Sequence, residues 1–314
     1  MPIKLHSKDI TTDQGKHWIT CTAAKAQIIQ ALRNCTSKCE FSKQKFPAPM
    51  PITIERRHQK MFSNHKYSYT EKSNGIRCML YCTNLSVDSK LCKMVLLLDR
   101  IQNIRIVSIL IDDAMCHGTL MDAEYMEEMK QLILFDCYAF AGQGTTHMTL
   151  QNRCLKMKEF ISAYKHRLED PFAITVKPHH ALSTGCVEHL SGIMNGEHCD
   201  GIIFTPNAPL DQNCFVFKHK MNHSIDLLVG WNDGHNVLYA FDGEDCVILN
   251  NNVDEFDCEV AQVWECDVII DGEQEYYKPA HLRTDKELGN SMRTIERTLK
   301  TIKDQVTIHD LVTA

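Results

Sequence analysis

Residues 67–82 read YSYTEKSNGIRCMLYC and set a lysine, Lys72, and an arginine, Arg77, on either side of Asn74-Gly75. The flanking runs SYT and CMLYC have the residue types of β-strands, so the lysine is expected in a turn between two strands. Taken alone, such a string is usually a solvated hairpin tip that carries two surface cations. The rest of the chain has to show whether this lysine does chemistry.

Up to about residue 228, the rest of the sequence predicts antiparallel strands with a few helices. Short apolar runs such as MLYC and MVLLL indicate strands up to about residue 107, and more strands are expected at 118–126, 131–140, 172–177, 200–205 and 214–218. Apolar residues spaced three and four apart predict helices at 22–34, 151–168 and 291–306. The first helix should bury Ala24, Ile28, Ile29 and Leu32. The second should turn inward Leu155, Phe160, Ile161 and Tyr164.

After Leu228 the sequence changes to brief strands separated by Asp-Gly and Asn-Asn dipeptides. Turns are expected at 232–234, 242–243, 250–252 and 271–272. This spacing predicts a small β-barrel, followed by the amphipathic helix at 291–306.

Length and composition limit the class of protein. With 314 residues, 44% of them hydrophobic, the chain is long enough for two modest cores. It has no run of about 18 apolar residues. Lys, Asp and His also interrupt its N-terminal part, so neither a membrane span nor a signal peptide is expected. We expect a soluble, intracellular protein with no membrane contact.

Cysteine usage and charge exclude two further classes. The 15 cysteines are scattered and nothing indicates export, so reduced thiols are expected rather than a disulfide framework. The nearest pairs, Cys35 with Cys39 and Cys78 with Cys82, lack the repeated spacing of a zinc site. The formal net charge of −6 disfavours a general nucleic-acid coat, because such binding depends on Lys and Arg. Any RNA contact should be local.

The string EKSNGIR at 71–77 resembles KxDGxR, the nucleophile motif of the covalent nucleotidyltransferases, which include mRNA-capping guanylyltransferases and polynucleotide ligases. The resemblance to the capping enzymes extends from residue 46 to residue 290, in the family's motif order. FPAPMPITIER at 46–56 resembles their FPGSQPVSL, TLMDAEY at 119–125 their TLLDGEL, and LFDC at 134–137 their IFDA. DGIIFTP at 200–206 is similar to DGLIFTP, FKHK at 217–220 with IDLL at 225–228 to KWK and VDFLL, and RTDK at 283–286 with Asn290 to RxDKxxxN.

The resemblance implies an α+β fold in two domains. Residues 1–228 would form a nucleotidyltransferase domain of antiparallel sheets flanked by helices. Residues 229–314 would form an OB-fold β-barrel with a closing C-terminal helix. A hinge is expected near 228–233, with the active site in the cleft between the domains.

It also implies that the enzyme takes GMP from GTP onto Lys72 and passes it to the 5′-diphosphate end of an RNA. A lysine attacks phosphorus only as the neutral amine, which neighbouring cations favour. Arg77, Lys218 and Lys220 are implied to supply that field and to stabilise charge on the transferred phosphoryl group. Lys218 and Lys220 would face the α-phosphate.

Carboxylates and a nucleotide pocket complete the implied site. Glu124 would hold the ribose together with Arg77. Asp200 and Glu124 would arrange water or the Mg²⁺ or Mn²⁺ ion that bridges phosphate oxygens. The implied nucleotide-binding set also contains Thr53, Asn74, Phe135, Lys177, Arg283, Asp285 and Lys286.

Within that set, Phe135 would stack on the purine and Lys177, helped by Thr53, would recognise the guanine oxygen. A cation bonded to a carbonyl oxygen rejects adenine, which has an amino group there, so GTP is expected over ATP. The second-domain residues Arg283, Asp285 and Lys286 would reach the β- and γ-phosphates when the domains close.

Three positions depart from the family pattern. Asn74 stands where the family has Asp, and an amide keeps the hydrogen-bonding geometry but loses the charge. This change is expected to weaken activity. Ala123 replaces a Gly and Gly289 replaces a Pro, and both replacements are expected to be tolerated.

Structural explanations stay open for several of these residues. Phe135 is also explained as core, Lys177 as a surface lysine, and Asp122 with Glu124 as one solvated strand face. The basic residues at 293–303 fit a solvated helix face better than an RNA site.

Two other functions stay open. An ATP-dependent polynucleotide ligase would be labelled by ATP instead of GTP, and a degenerate, non-catalytic scaffold is suggested by Asn74. No phosphatase or methyltransferase module is found, so a separate RNA triphosphatase is expected as a partner, with the C-terminal tail of RNA polymerase II added by family analogy. The expected location is the nucleus, or the cytoplasm for a viral protein.

Overall fold

The computed structural model describes residues 3–64, 66–194, 199–210, 215–220, 223–284, 286–304 and 306–312. Its helices are α1 Thr22–Cys35, α2 Gln59–Asn64, α3 Leu150–Ala163, α4 Val187–Met194, α5 Met292–Asp304 and α6 Ile308–Val312. Single 3₁₀ turns lie at Ser7–Asp9, Glu40–Lys43, Arg56–His58, Asp113–Cys116 and Thr184–Cys186. No helix in these ranges combines the length and the apolar character needed to cross a membrane.

The strands, in chain order, are β1 Ile3–Leu5, β2 Ile10–Asp13, β3 Lys16–Ile19, β4 Ile52–Thr53, β5 Tyr67–Ser73, β6 Ile76–Val87, β7 Lys90–Asp99, β8 Ile104–Val107, β9 His117–Met126, β10 Gln131–Phe140, β11 Gln143–Gly144, β12 Ala173–Val176, β13 His180–Ala181, β14 Cys199–Pro206, β15 Phe217–His219, β16 Ser224–Asn232, β17 His235–Asp242, β18 Asp245–Asn252, β19 Val263–Asp271 and β20 Gln274–Leu282. They form three sheets, and most neighbouring strands are antiparallel. The predicted α+β class is confirmed.

The largest sheet has the order β11-β10-β9-β6-β7-β8-β3-β2, with β1 beside β6 and β12 beside β10. Both of its faces are buried. Alternate residues of β6 point to opposite faces, so Cys78, Leu80 and Cys82 pack toward α3, whereas Met79, Tyr81 and Leu85 pack toward α1. This arrangement explains why CMLYC is apolar throughout instead of alternating.

The helix predictions are confirmed at α1 and α5, and only in part at α3. The four residues predicted to be buried on α1 are buried. Helix α3 ends at Ala163, and Leu155 was wrongly placed inward, since it is 59% exposed. The buried residues of α3 are Leu150, Arg153, Met157 and Phe160. Because a buried arginine belongs to that face, the apolar pattern alone gave the wrong rotation.

The second sheet has the order β13-β5-β14-β15-β4. Strands β5 and β6 therefore lie in different sheets, and the hairpin interpretation of residues 67–82 is wrong. Lys72 lies within β5, and the chain passes from one sheet to the other at Asn74-Gly75. At this crossing the two sheets are in contact, since Glu124 of the large sheet accepts the Gly75 N–H.

The third sheet has the order β18-β17-β16-β19-β20 and packs on Met292, Ile295 and Leu299 of α5. The turns predicted at 232–234, 242–243 and 271–272 join its strands. The turn predicted at 250–252 is wrong, because β18 continues to Asn252. Its register shifts where Leu249 pairs with Leu238 and Asn252 with Val237, so the asparagine run forms a bulge.

The chain divides into two compact units. The first contains Met1–Ile52 and Lys60–His219, and the second contains Thr53–Gln59 and Lys220–Thr313. The predicted boundary at 228/229 lies inside β16, a continuous strand of the second unit, and the predicted hinge at 228–233 covers the end of that strand and the first residue of the turn after it. The short segment 53–59 joins the second unit through contacts such as that of Arg56 Nη2 with the Asp304 carbonyl oxygen, at 3.1 Å.

Candidate active site

Lys72 lies near the end of β5 and forms an ion pair with Asp200 on the neighbouring strand β14. The ladder is irregular here, since Cys199 pairs with Ser73 but the next pair is Ile202 with Glu71. Gly201, in this irregular stretch, has φ +129°, a value that favours glycine. The bulge turns the Asp200 carboxylate onto the Lys72 ammonium.

Arg77 lies on β6, next to this part of the site, and its guanidinium is bonded to the buried carboxylate of Asp122. Its Nε and Nη2 donate to the two Asp122 oxygens at 3.0 and 2.6 Å, and Nη2 also donates to the Pro49 carbonyl at 2.9 Å. Tyr138 donates to the same carboxylate at 2.5 Å. Burial alone would lower the pKa of Arg77, but the Asp122 carboxylate raises it above its ordinary value.

Asp122 is fully buried, so the interpretation of Asp122 with Glu124 as a solvated strand face is wrong. The sequence held a signal for this pairing. Residues 122 and 124 are two apart on β9, so their side chains lie on the same face. Arg77 is paired directly with Glu124 on the neighbouring strand, which places it on that face beside Asp122.

Phe135 lies at a bulge of β10. Leu134 pairs with Ala123 and Asp136 with Asp122, which leaves Phe135 as the extra residue. The Arg77 guanidinium lies over its ring, 5.5 Å from the centroid, and 5.3 Å from the ring of Phe46. Phe135 is partly exposed, unlike its buried neighbours Leu134 and Asp136, which disfavours the interpretation of it as core.

Glu124 contacts the turn that follows Lys72. Its Oε1 accepts the Gly75 backbone N–H at 3.0 Å. A Cβ added to Gly75 would lie 2.6 Å from Met126 Sδ and 2.9 Å from the Tyr125 carbonyl oxygen, so only glycine allows this approach. Asn74, beside it, is exposed.

Lys177 is buried, and the surface-lysine interpretation is therefore wrong. Its Nζ donates to Ser73 Oγ at 2.6 Å and lies 3.8 Å from Glu124 Oε2. Burial lowers the pKa of Lys177, an effect that Glu124 and Glu71 partly offset, and the nearby Lys72 ammonium lowers it further. Lys177 is thus a cation that the structure places near Lys72, whereas the charge of Arg77 is compensated by Asp122.

Two residues behind Phe135 were not identified from the sequence. Arg153 of α3 is fully buried and donates to both oxygens of Asp136, at 2.6 and 3.1 Å. His179 Nε2 is 2.9 Å from the Phe135 carbonyl oxygen. An arginine inside a helical pattern and one histidine among sixteen carry no distinguishing sequence signal.

The remaining predicted residues lie elsewhere in the fold. Lys218 is on β15, opposite Ile203 of β14 and two strands from β5. Thr53 is the last residue of β4, and both Thr53 and Lys220 belong to the second unit. Asp285 lies outside the described residues.

Arg283 and Lys286 meet on one carboxylate within the second unit. Arg283 Nη1 donates to Asp226 Oδ1 at 2.8 Å, and Lys286 pairs with the other oxygen. Asn290 fixes the backbone of Asp226, accepting its N–H at 3.0 Å and donating to its carbonyl oxygen at 2.6 Å. Gly289 packs closely here, since an added Cβ would lie 2.9 Å from the Leu228 nitrogen. Glycine at this position therefore suits the packing of this chain.

Asp200 and Glu124 supply carboxylate oxygens, the ligand atoms that Mg²⁺ and Mn²⁺ prefer. Among the described residues, no three His, Cys, Asp or Glu side chains are grouped to hold an ion. Mg²⁺ is commonly bound by one or two carboxylates together with substrate phosphates. The donor set fits an ion that is shared with a nucleotide. None of the 14 cysteines in the described ranges forms a disulfide bond.

The fold and these residues define the class of the protein: a nucleotidyltransferase with a second, OB-type unit. More narrowly, the chain belongs to the mRNA capping enzyme family. The catalytic domain of that family matches residues 16–222, and its C-terminal domain matches residues 218–312.

Similarity to solved structures is low. The ligase domain of M. tuberculosis LigD is 10% identical, with 76% of this chain and 94% of that one covered and a TM-score of 0.35. The ATP-dependent DNA ligase of bacteriophage T7, in complex with ATP, is 11% identical, with 74% and 98% covered and a TM-score of 0.35. The structure named Pmar-Lig_PreS3 is 14% identical, with 84% and 73% covered and a TM-score of 0.41.

Proposed function

We propose that this chain is an mRNA guanylyltransferase, which forms a lysyl-N-GMP intermediate on Lys72 and transfers GMP to the 5′-diphosphate end of RNA. The observation that carries the proposal is the pairing of Lys72 with Asp200 inside the catalytic domain of a capping enzyme family member. This pairing places a potential nucleophile beside a potential proton acceptor.

In the first step, the Lys72 Nζ lone pair forms a bond to the α-phosphorus of GTP. The bond from that phosphorus to the bridging oxygen breaks, and pyrophosphate leaves. The Lys72 ammonium must first lose a proton, and the hydrogen-bonded Asp200 carboxylate is positioned to accept it. A divalent metal bound with the phosphates through Asp200 or Glu124 would neutralise triphosphate charge.

In the second step, a terminal β-phosphate oxygen of the RNA forms a bond to the same phosphorus. The nitrogen–phosphorus bond breaks, and Lys72 leaves and regains a proton. Lys177 supports both steps as a buried cation near the Lys72 nitrogen. Lys218 adds positive charge from β15, which lies in the same sheet as the strand that carries Lys72. We assign Arg283 and Lys286 to the phosphates that leave.

Guanine selectivity is assigned to Phe135 and Lys177. The partly exposed ring of Phe135 offers a stacking surface, and the Lys177 ammonium, buried against Ser73, donates hydrogen bonds. A donor in a dry site favours the carbonyl oxygen of guanine over the amino group of adenine. Arg77 and Glu124 are assigned to the ribose.

Labelling with α-phosphate-labelled nucleotides tests the proposal. With a divalent metal, GTP should label the protein and ATP should not, and the label should then move to RNA that ends in a 5′-diphosphate. Labelling by ATP alone would identify a polynucleotide ligase. No labelling of the natural chain, with labelling of an Asn74→Asp variant, would identify a degenerate scaffold.

The proposal extends to partners and location. A 5′-diphosphate end requires prior removal of the γ-phosphate, so an RNA triphosphatase is proposed as a partner. Capping of 5′-triphosphate RNA by the purified chain should need an added triphosphatase. Contact with the RNA polymerase II tail and a nuclear location belong to the same proposal, and binding to tail peptides and imaging of the tagged chain test them.

A further inference from the structure

The two ring nitrogens of His179 have unequal surroundings: one is hydrogen-bonded and the other is buried without a described partner. Its Nε2 lies 2.9 Å from the carbonyl oxygen of Phe135. A carbonyl oxygen only accepts, so Nε2 carries the proton and donates. Nδ1 is buried and has no hydrogen-bond partner in the part of the chain that the structure describes. Buried polar atoms are nearly always paired, so this exception calls for an explanation.

The surroundings of His179 favour its neutral form. Burial lowers the pKa of His179, and the positive charges of Lys177 and Arg153 lower it further, while the Phe135 carbonyl and Asp136 act in the opposite direction. A neutral imidazole has a single N–H. Here that N–H is given to Phe135, and the ring nitrogen that accepts is left unpaired.

The bonded carbonyl belongs to the bulged residue of β10. A bulge removes one residue from the regular ladder and re-aims its side chain. The Phe135 ring has no regular cross-strand partner on β9 and packs at one side on the Arg77 guanidinium. The hydrogen bond from His179 therefore fixes the backbone from which this ring projects.

We infer that His179 is a positioning residue, which sets the bulge of β10 so that the Phe135 ring can stack on the base of a bound nucleotide. The inference rests on the proposed function for the nature of the ligand, a purine nucleotide. It assigns His179 no contact with that ligand. The unpaired Nδ1 is then the structural consequence of committing Nε2 to the bulge.

Binding measurements with two ligands separate this role from general stability. GTP carries a base, whereas inorganic tripolyphosphate carries only the phosphates. His179→Leu should lower the affinity for GTP about 3- to 10-fold, the size of one neutral hydrogen bond, and leave the affinity for tripolyphosphate unchanged. His179→Gln keeps an N–H at similar reach and should restore GTP binding.

Two further variants sharpen the test. In a Phe135→Leu background, His179→Leu should cause no additional loss of GTP affinity, because the ring that it positions is gone. The matched control is His180→Leu, which alters the adjacent histidine beside Tyr69 and should not change the ratio of the two affinities. Melting temperatures verify that each variant is folded.

The inference is overturned if His179→Leu weakens both ligands equally, leaves GTP binding unchanged, or still acts in the Phe135→Leu background. A natural chain that binds GTP no better than tripolyphosphate would instead contradict the proposed function, and this inference with it. The two failures are therefore distinguishable.

Discussion

At the scale of single residues, Asp122 is the residue of the site whose burial depends most on its partners. Its carboxylate is fully buried and receives hydrogen bonds from Arg77 and Tyr138. A buried ion pair adds little net stability, but removal of one partner leaves a buried charge without compensation. Asp122 therefore matters both for the position of Arg77 and for folding.

Asp122→Ala is expected to lower the free energy of unfolding by about 3–5 kcal/mol, because the Arg77 charge is left unpaired. Urea denaturation measures the change. The matched control is Asp113→Ala, which removes an exposed aspartate paired with Lys93 and should not alter stability measurably. Similar effects of the two substitutions would show that the Asp122 pair is not buried in solution.

A second prediction concerns how the stability contributed by Lys177 depends on pH. Burial lowers its pKa in the folded chain, so between that value and the ordinary lysine value of about 10.4 the unfolded chain binds more protons. Stability contributed at this position should therefore rise with pH in that alkaline window. Lys177→Met should remove the rise, as urea titrations at several pH values would reveal. A variant with the same pH profile as the natural chain would contradict the lowered pKa.

At the scale of the elements, the site depends on how α3 is fixed to the large sheet. Arg153 joins the helix to Asp136 of β10, and it also donates to the carbonyl oxygens of Met148 and Ala208, at 2.7 and 3.1 Å. Asp136 immediately follows Phe135, so the fixed helix also supports the bulge.

Arg153→Met is expected to destabilise the chain by about 3–5 kcal/mol, because Asp136 loses its buried partner. Amide hydrogen exchange should quicken in α3 and β10. Lys158→Met, on the exposed face of the same helix, should change stability by less than about 0.5 kcal/mol. An Arg153 variant as stable as the Lys158 variant would contradict the role of the pair.

The helices and strands also show which parts of the fold can be predicted from sequence patterns. Strand β10 and helix α1 were predicted almost to the residue, because a local apolar period determines them. The relation of β5 to β6 was missed, since sheet membership depends on distant strands such as β14. The N-terminal strands β1 to β3 were also not predicted, because each has only three or four residues and shows no clear apolar period.

The candidate site divides in the same way. Lys72, Asp200, Glu124, Phe135 and Lys177 were selected by resemblance to family motifs, and the structure places them on adjoining parts of one unit. Asp122 and His179 were not assigned roles. The shared face of residues 122 and 124 was a usable signal for Asp122, whereas the partner of His179 is visible only after the strands are paired.

At the scale of the whole molecule, two compact units correspond to the two domains of the capping enzyme family, except that residues 53–59 of the catalytic-domain match belong to the second unit. The first unit contains Lys72 with its carboxylate partner and the nearby buried lysine. The second contains Arg283 and Lys286 on Asp226. The proposed activity requires that Lys72 becomes covalently modified.

Mass spectrometry of the full chain after incubation with GTP and Mg²⁺ tests this most directly. GMP should be found on Lys72, in a tryptic peptide that is not cleaved at that residue. Lys72→Arg should carry no GMP, whereas the surface control Lys158→Arg should be modified like the natural chain. GMP attached to any other residue, or retained in Lys72→Arg, would contradict the account.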